Sequence, residues 1–207
     1  MGNSGQRAKE KESDEMSYPA VSKLTTAPTT ILGIAGTALI TMQNARDALG
    51  KPDDVTEDRR IANLIPIAYN AVEQRLNRAI ITQTRTATMA NFGNMILLDY
   101  PPLVSVTSVK YYDTSNSQQT FSSAKYVVDV TPTFGTIQLQ EGQSWPTVRG
   151  RTDAVEVIFV CGAAVGSING EVNIREAILQ ELWGLFFKDD VTAEVMDLLN
   201  PYMVVAL

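Results

Sequence analysis

Residues 100–121 read YPPLVSVTSVKYYDTSNSQQTF, and the fold class turns on this stretch. Its central part, VSVTSVKYYD, is dominated by β-branched and aromatic residues, which suit a pleated, half-buried surface and predict a strand. Pro101 and Pro102 stiffen the approach and cannot donate to a central ladder, so the strand begins after them. The polar DTSNSQQ that follows reads as a long, mobile turn. The runs around it have the same character: IITQTRTATM from Ile80, then MILLDY, KYVVDV, TIQLQ and AVEVIFV, each bounded by turn residues. TPTFG, Thr131 to Gly135, has the length and glycine placement of a tight hairpin. Together these runs predict an antiparallel sheet of five or six strands.

On both sides of this passage the period changes to that of a helix. Thr41 is placed to cap MQNARDALG, in which Met42, Ala45 and Leu49 share a face and Gly50 with Pro52 ends the helix. Ile61, Leu64, Ile65, Ala68, Val72 and Leu76 recur at helical spacing and predict an amphipathic helix of roughly twenty residues. Pro66 inside it leaves the Ala62 carbonyl without a donor and predicts a kink. The acids Asp53, Asp54, Glu57 and Asp58 ahead of that helix read as dipole-complementing residues rather than a metal or acid/base site. Beyond the strands, Ile174, Ala177, Ile178, Leu182, Leu185 and Phe186 trace an apolar stripe that includes Glu181, with Trp183 beside it. Thr192 is placed to cap AEVMDLLN, and Pro201 to stop that helix before the apolar YMVVAL. The run from Tyr202 either packs on its own subunit or binds something else, since solvated tails are rarely so apolar. The class is therefore α+β. Residues 1–30 form a flexible arm, 31–79 and 163–207 the two parts of a helical core, and 80–162 an antiparallel β module that interrupts it.

Composition bounds the function. A chain of 207 residues with 44% hydrophobic content can bury a sizeable core without disulfides. Its 23 acidic against 17 basic residues give a charge of −6, so its long-range field repels phosphate backbones and anionic lipid headgroups. There is no histidine, and Cys161 is the single cysteine, which removes disulfides, Cys/His zinc sites and imidazole catalysis. The first thirty residues are polar and broken by Pro19 and Pro28, and cannot offset their ordering entropy by burial. The apolar run from Ile31 to Ile40 is shorter than the ~20 residues a membrane span needs, and reads as a packed segment leading into the core.

Motifs for chemistry are lacking. GIAG at Gly33 has neither the spacing nor the context of a dinucleotide loop, and no Walker-type sequence occurs. No serine or threonine has an evident activating base, and Cys161 at the end of a strand reads as a small buried hydrophobe. Trp145 in EGQSWPTVRG has Arg149 and Arg151 nearby, but one aromatic beside two arginines reads first as packing. No catalytic residue, cofactor or metal ligand is assigned.

The ordered succession ITMQNARDALG, IANLIPIAYNAVEQRLNRAIITQT, YPPLVSVTSVKYYD, GQSWPTVRGRTDAVEVIFVCG, IREAILQELWGLFF and LLNPYMVVAL resembles the head-tail connector (adaptor, or head completion) family of long-tailed double-stranded DNA bacteriophages. It covers about residues 38 to 207, most specifically NRAIITQT, PPLVSVTSV, QSWP followed by RG, and PYMVV. The long arm before Ile31 and Pro66 depart from the pattern. The resemblance implies a non-enzymatic virion protein of the head-tail neck, assembled in the host cytoplasm. It would form a homo-oligomeric ring of about twelve copies below the portal protein, because head-to-tail contacts close when the rotation per subunit divides a full turn. Such a ring extends the DNA channel, touches packaged duplex transiently and without specificity, and offers a platform to a neck stopper or tail-completion protein; no membrane is involved. The carboxy-terminal Pro201, Tyr202, Met203, Val204 and Val205 would dock on the portal as an extended, apolar, strand-competent run. Arg59, Arg60, Arg75 and Arg78 read equally as intersubunit or solvent-exposed charges. Two other readings stand beside this one: a neck stopper or tail-completion ring protein, and a β module whose Trp145 recognises a glycan or other ligand.

Overall fold

A computed structural model describes residues 39–131 and 133–204. The predicted arm, and the part of the apolar run from Ile31 up to residue 38, lie outside the described residues. Leu39 and Ile40 at the end of that run are buried in the helical core.

Among the described residues four α-helices and seven strands follow in the order α1 (Met42–Ala48), α2 (Asp58–Leu76), β1 (Gln83–Met89), β2 (Met95–Leu98), β3 (Leu103–Tyr112), β4 (Gln118–Phe121), β5 (Tyr126–Asp129), β6 (Gly135–Leu139), β7 (Val155–Cys161), α3 (Glu171–Phe187) and α4 (Thr192–Leu199). The fold is α+β, with all strand pairs antiparallel. Thr41 caps α1 as expected: its hydroxyl accepts from the Asn44 N–H at 3.1 Å while the Asn44 side chain accepts from the Thr41 N–H at 3.1 Å. The helix α2 continues through Pro66. Its first turn is tied to α1 by a two-pronged pair, Asp58 accepting from Arg46 Nε at 2.7 Å and Nη2 at 2.6 Å.

Three local expectations are corrected. The strands do not form one sheet of five or six: a four-stranded sheet runs β1-β7-β3-β4 and a three-stranded one runs β2-β6-β5. The added strand, β4, comes from the end of the predicted mobile turn. Asp113 holds that turn by accepting from the Ser115 and Ser117 N–H groups at 2.9 and 3.0 Å, so that Gln118–Phe121 folds back along β3. Thr192 is not the cap of α4. The residue before the helix is Val191, and Asp190 accepts from the Thr192 N–H at 2.9 Å, the longer reach of the aspartate doing what the threonine hydroxyl was assigned. Pro201 does not end helical structure outright, because Asn200–Tyr202 continues as a 3-10 turn in which a proline near the start lacks no needed donor.

Two apolar clusters result. One joins α1, α2, α3 and α4 through Ala45, Ile61, Ile65, Val72, Leu76, Ile174, Ile178, Leu182, Val195 and Leu199. The other fills the space between the sheets with Met89, Ile96, Leu98, Val109, Phe121, Ile137, Val157 and Phe159. The alternation along β7 explains the second: Val155, Val157, Phe159 and Cys161 point inward and are buried, while Glu156, Ile158 and Val160 between them are half-exposed. Ile80 belongs to the helical cluster although the alternation predicted it as the start of a strand, and β1 begins only at Gln83.

Several exposed or half-buried aspartates sit below the ordinary carboxylate range: Asp58 through its hydrogen bond to Arg46, Asp153 through Arg151, Asp113 through the Ser117 N–H, and Asp54, Asp129 and Asp190 through the threonine two residues on. A carboxylate with a depressed folded pKa contributes stability that is complete above its unfolded value and lost as the pH falls through the folded one. Burial acts with the opposite sign on Glu73 and Asp99, which are raised. The depressed group is larger, so the melting temperature is expected to hold from about pH 8 to about pH 5 and to fall below about pH 4. Melting followed by circular dichroism across that range checks this; a flat profile down to about pH 3 would remove these aspartates from the stability account.

Candidate docking surface

The carboxy-terminal residues close against the helical core. Gly170, just before α3, has φ +73°, and a Cβ there would run into the Tyr202 ring. Glycine thus supplies both the left-handed backbone and the space the ring occupies. The Tyr202 hydroxyl accepts from Asn173 Nδ2 at 3.3 Å. The Val204 N–H donates to the Leu76 carbonyl at 3.0 Å, and Asn77 Nδ2 donates to the Val204 carbonyl at 3.4 Å. Asn77 makes this possible by ending α2 in the left-handed conformation, φ 51°. Of the five assigned docking residues, Tyr202 and Val204 are therefore half-buried on their own subunit, Pro201 and Met203 are exposed, and Val205 lies outside the described residues. Replacing Gly170 by alanine is expected to cost about 1–3 kcal/mol and to release the Tyr202 ring. Chemical denaturation measures the first and nitration of Tyr202 located by mass spectrometry the second, and an unchanged midpoint would show that the ring is not held there.

A buried polar junction ties this helical end to the sheet, and the sequence reading missed it. Glu73, 2% exposed, accepts from the Ile80 N–H at 2.8 Å and from Gln83 Nε2 at 2.6 Å through one oxygen. Its other oxygen accepts from Arg85 Nη2 at 2.7 Å. Arg85 is 3% exposed, donates from Nε to Gln83 Oε1 at 3.0 Å, and lies 3.8 Å above the centre of the Tyr100 ring. Desolvation raises Glu73 above its ordinary value despite these donors. The neighbouring Cys161 thiol is pushed up to about 12 by burial, which leaves it a packed apolar group and not a nucleophile. Two signals were present in the sequence: Glu73 follows Val72 on the apolar side of α2, and Arg85 shares the inward parity of Ala87 and Met89 in β1.

The four arginines separate by environment. Arg60 donates from Nη2 to the Phe186 carbonyl at 2.6 Å with its guanidinium 4.1 Å from the Phe186 ring centre, and Arg75 pairs with Glu181. Both are engaged within the subunit. Arg78 is buried, its Nε without a hydrogen-bond partner among the described residues, and burial lowers it from its ordinary value. Arg59 is exposed.

Trp145 is a packing residue. Its ring stacks on Phe92 with centroids 4.4 Å apart and planes 2° from parallel, and lies 5.0 Å from Phe121. With one indole face covered by Phe92, it is poorly disposed as a platform for a sugar or base. Arg151 is held by Asp153 at 2.5 and 2.6 Å and sits over the Tyr112 ring at 4.0 Å.

No family model matches this chain, and no curated protein does. Solved structures do. A chain from the neck of an empty gene transfer agent particle computed with C6 symmetry superposes with a TM-score of 0.68 at 20% identity, covering 89% of this chain and 96% of that one. A chain from the virion of a native gene transfer agent particle gives 0.64 at 19% identity, covering 86% and 96%. A chain from the neck of a native particle computed with C12 symmetry gives 0.58 at 16% identity, covering 83% and 94%. The fold is shared over nearly the whole length of each.

Proposed function

We propose that this chain is a structural subunit of the neck of a phage-like particle: a head-tail connector that forms a ring below the portal, extends the DNA channel and gives later neck and tail proteins their platform. The observation that carries the reading is the fold shared with neck chains over 89% and 83% of this chain and 96% and 94% of theirs. The resemblance in sequence order points the same way. In this reading the β module of residues 80–162 is hung on a helical scaffold made by 31–79 and 163–207. The ring holds about a dozen copies. A charge of −6 suits a passage that must touch DNA without gripping it, because each neutralised phosphate would add salt-dependent affinity. The role is mechanical, and its place is the virion neck after assembly in the host cytoplasm.

The carboxy-terminal run is the portal contact in this proposal. Tyr202 anchors it beside the start of α3 and Val204 to the end of α2, and Met203 between them is exposed. Adding the purified chain to portal-bearing, tail-less heads and mapping the particles tests the assignment. Density for a ring directly on the portal is the expected result. A ring one level further out would make the chain a stopper or tail-completion protein, and no added ring would remove the neck role.

A further inference from the structure

We propose that the groove between α1 and α3 receives Arg59 of a second copy of this chain, and that this contact is the lateral joint of the ring. The inference rests on the neck reading and names the surface that reading leaves open. The helix α3 is apolar on two sides. Ile174, Ala177, Ile178, Leu182 and Phe186 enter the core, while Val172, Trp183 and Phe187 on the other side are 68%, 36% and 47% exposed. The outer face is therefore mixed, apolar at those three positions and polar at Glu176 and Gln180, and an exposed cluster of this kind suits a contact with another chain.

The groove of about 350 Å³ beside that outer side is lined by Asn44, Asp47, Glu176, Leu179, Gln180 and Trp183. Its chemistry is one-sided. Glu176 makes no ion pair or hydrogen bond among the described residues, Asp47 takes only the Gln43 amide at 2.8 Å, and Gln180 Oε1 is buried with no donor. Two carboxylates, an unsatisfied amide oxygen and an indole without any cation among them match a guanidinium, which brings five donors in a plane that also stacks on an aromatic face.

The same chain carries that group elsewhere on its surface. Arg59 is exposed on α2 and has no partner among the described residues. Ile67, two turns on along α2, is 51% exposed, and Val55 in the segment just before the helix is 61% exposed; these would meet Trp183 and Phe187. Other exposed arginines fit less well: Arg175 lies on α3 itself beside Glu176, and Arg149 lies in the loop before β7 with no exposed large apolar side chain next to it. Donor and acceptor patches on different helices permit a heterologous contact, which repeats head to tail and closes into a ring at the right rotation, whereas the same pair made reciprocally would stop at a two-fold dimer. Pairing a cation with two acids also offsets the mutual repulsion of copies that each carry −6.

The test uses the full chain with cysteines beside the contact. Cys161 is buried and does not compete. Asn63→Cys, one turn along from Arg59, and Ala48→Cys, on the groove wall, leave the pairing groups intact. The two variants are mixed with a short bismaleimide, free at high concentration and after addition to portal-bearing heads. A 63–48 crosslink between copies is expected. Adding Glu176→Arg to the Ala48→Cys chain should lower its yield at least about tenfold, and Arg59→Glu on the partner chain should restore it. Crosslinks only between like variants, none at all, or a 63–48 yield indifferent to Glu176→Arg would each overturn the inference. Binding of the unmodified chain to the same heads is scored separately, so a lost lateral joint with retained head binding leaves the neck role standing.

Discussion

Arg85→Ala is expected to cost about 3–5 kcal/mol of folding stability, because it leaves Glu73 as an uncompensated buried charge. Glu73 is 2% exposed and Arg85 3%, and the carboxylate keeps only the Ile80 N–H and the Gln83 amide once the guanidinium is gone. The loss should depend on pH in a definite direction. Desolvation already raises Glu73, and removing the cation raises it further. A raised folded pKa contributes stability below the unfolded value and loses it as the pH rises through the folded one. The deficit of the variant should therefore be smaller near pH ~5 than near pH ~8. The double variant Glu73→Gln with Arg85→Met should recover much of the loss, since it removes both charges while keeping volume and the amide contact. Urea denaturation of the three proteins at the two pH values measures this. An Arg85→Ala loss under about 1 kcal/mol would mean that water reaches the junction and that the pair does not weld the helices to the sheet.

Removing residues 203–207 is expected to abolish attachment to portal-bearing heads while leaving the circular dichroism spectrum unchanged. The cut spares Tyr202, whose ring fills the space left by Gly170, and sacrifices two hydrogen bonds of Val204, together about 1–2 kcal/mol. If the run is the portal contact proposed above, the attachment loss should be far larger than that, because on a ring each copy would contribute separately and a site of a few kcal/mol per copy becomes strong only when many are engaged at once. A cut before Tyr202 would be less informative, since it would also strip the core beside α3. Co-sedimentation with heads is the measurement. Normal binding of the shortened chain would end the docking role, and an altered spectrum would assign the segment to the subunit's own fold.

Local pattern determined much of this protein. The change of period from four-residue to two-residue spacing near Ile80 and back before Ile174 is a property of neighbouring residues, so the α+β class, α1 with its Thr41 cap, the amphipathic α2 and α3, and six of the seven strands were legible. So was Cys161 as a buried group, because its parity in β7 places it inward with Phe159. What the sequence left undecided depends on partners distant along the chain. That β7 lies between β1 and β3, while β2, β5 and β6 form a separate sheet, follows from which pairings bury Met89, Ile96, Val109 and Ile137 together, and spacing does not encode that choice. The strand β4 was hidden because polar QQT has weak preference of its own and acquires strand structure from β3. The Glu73–Arg85 junction, the stacking of Trp145 on Phe92 and the seat of Tyr202 on Gly170 bring together residues whose chemistry each looked unremarkable alone. Tertiary structure decided them, because the worth of a charge or a ring is set by the desolvation and the partner it meets, and those exist only once the chain has folded.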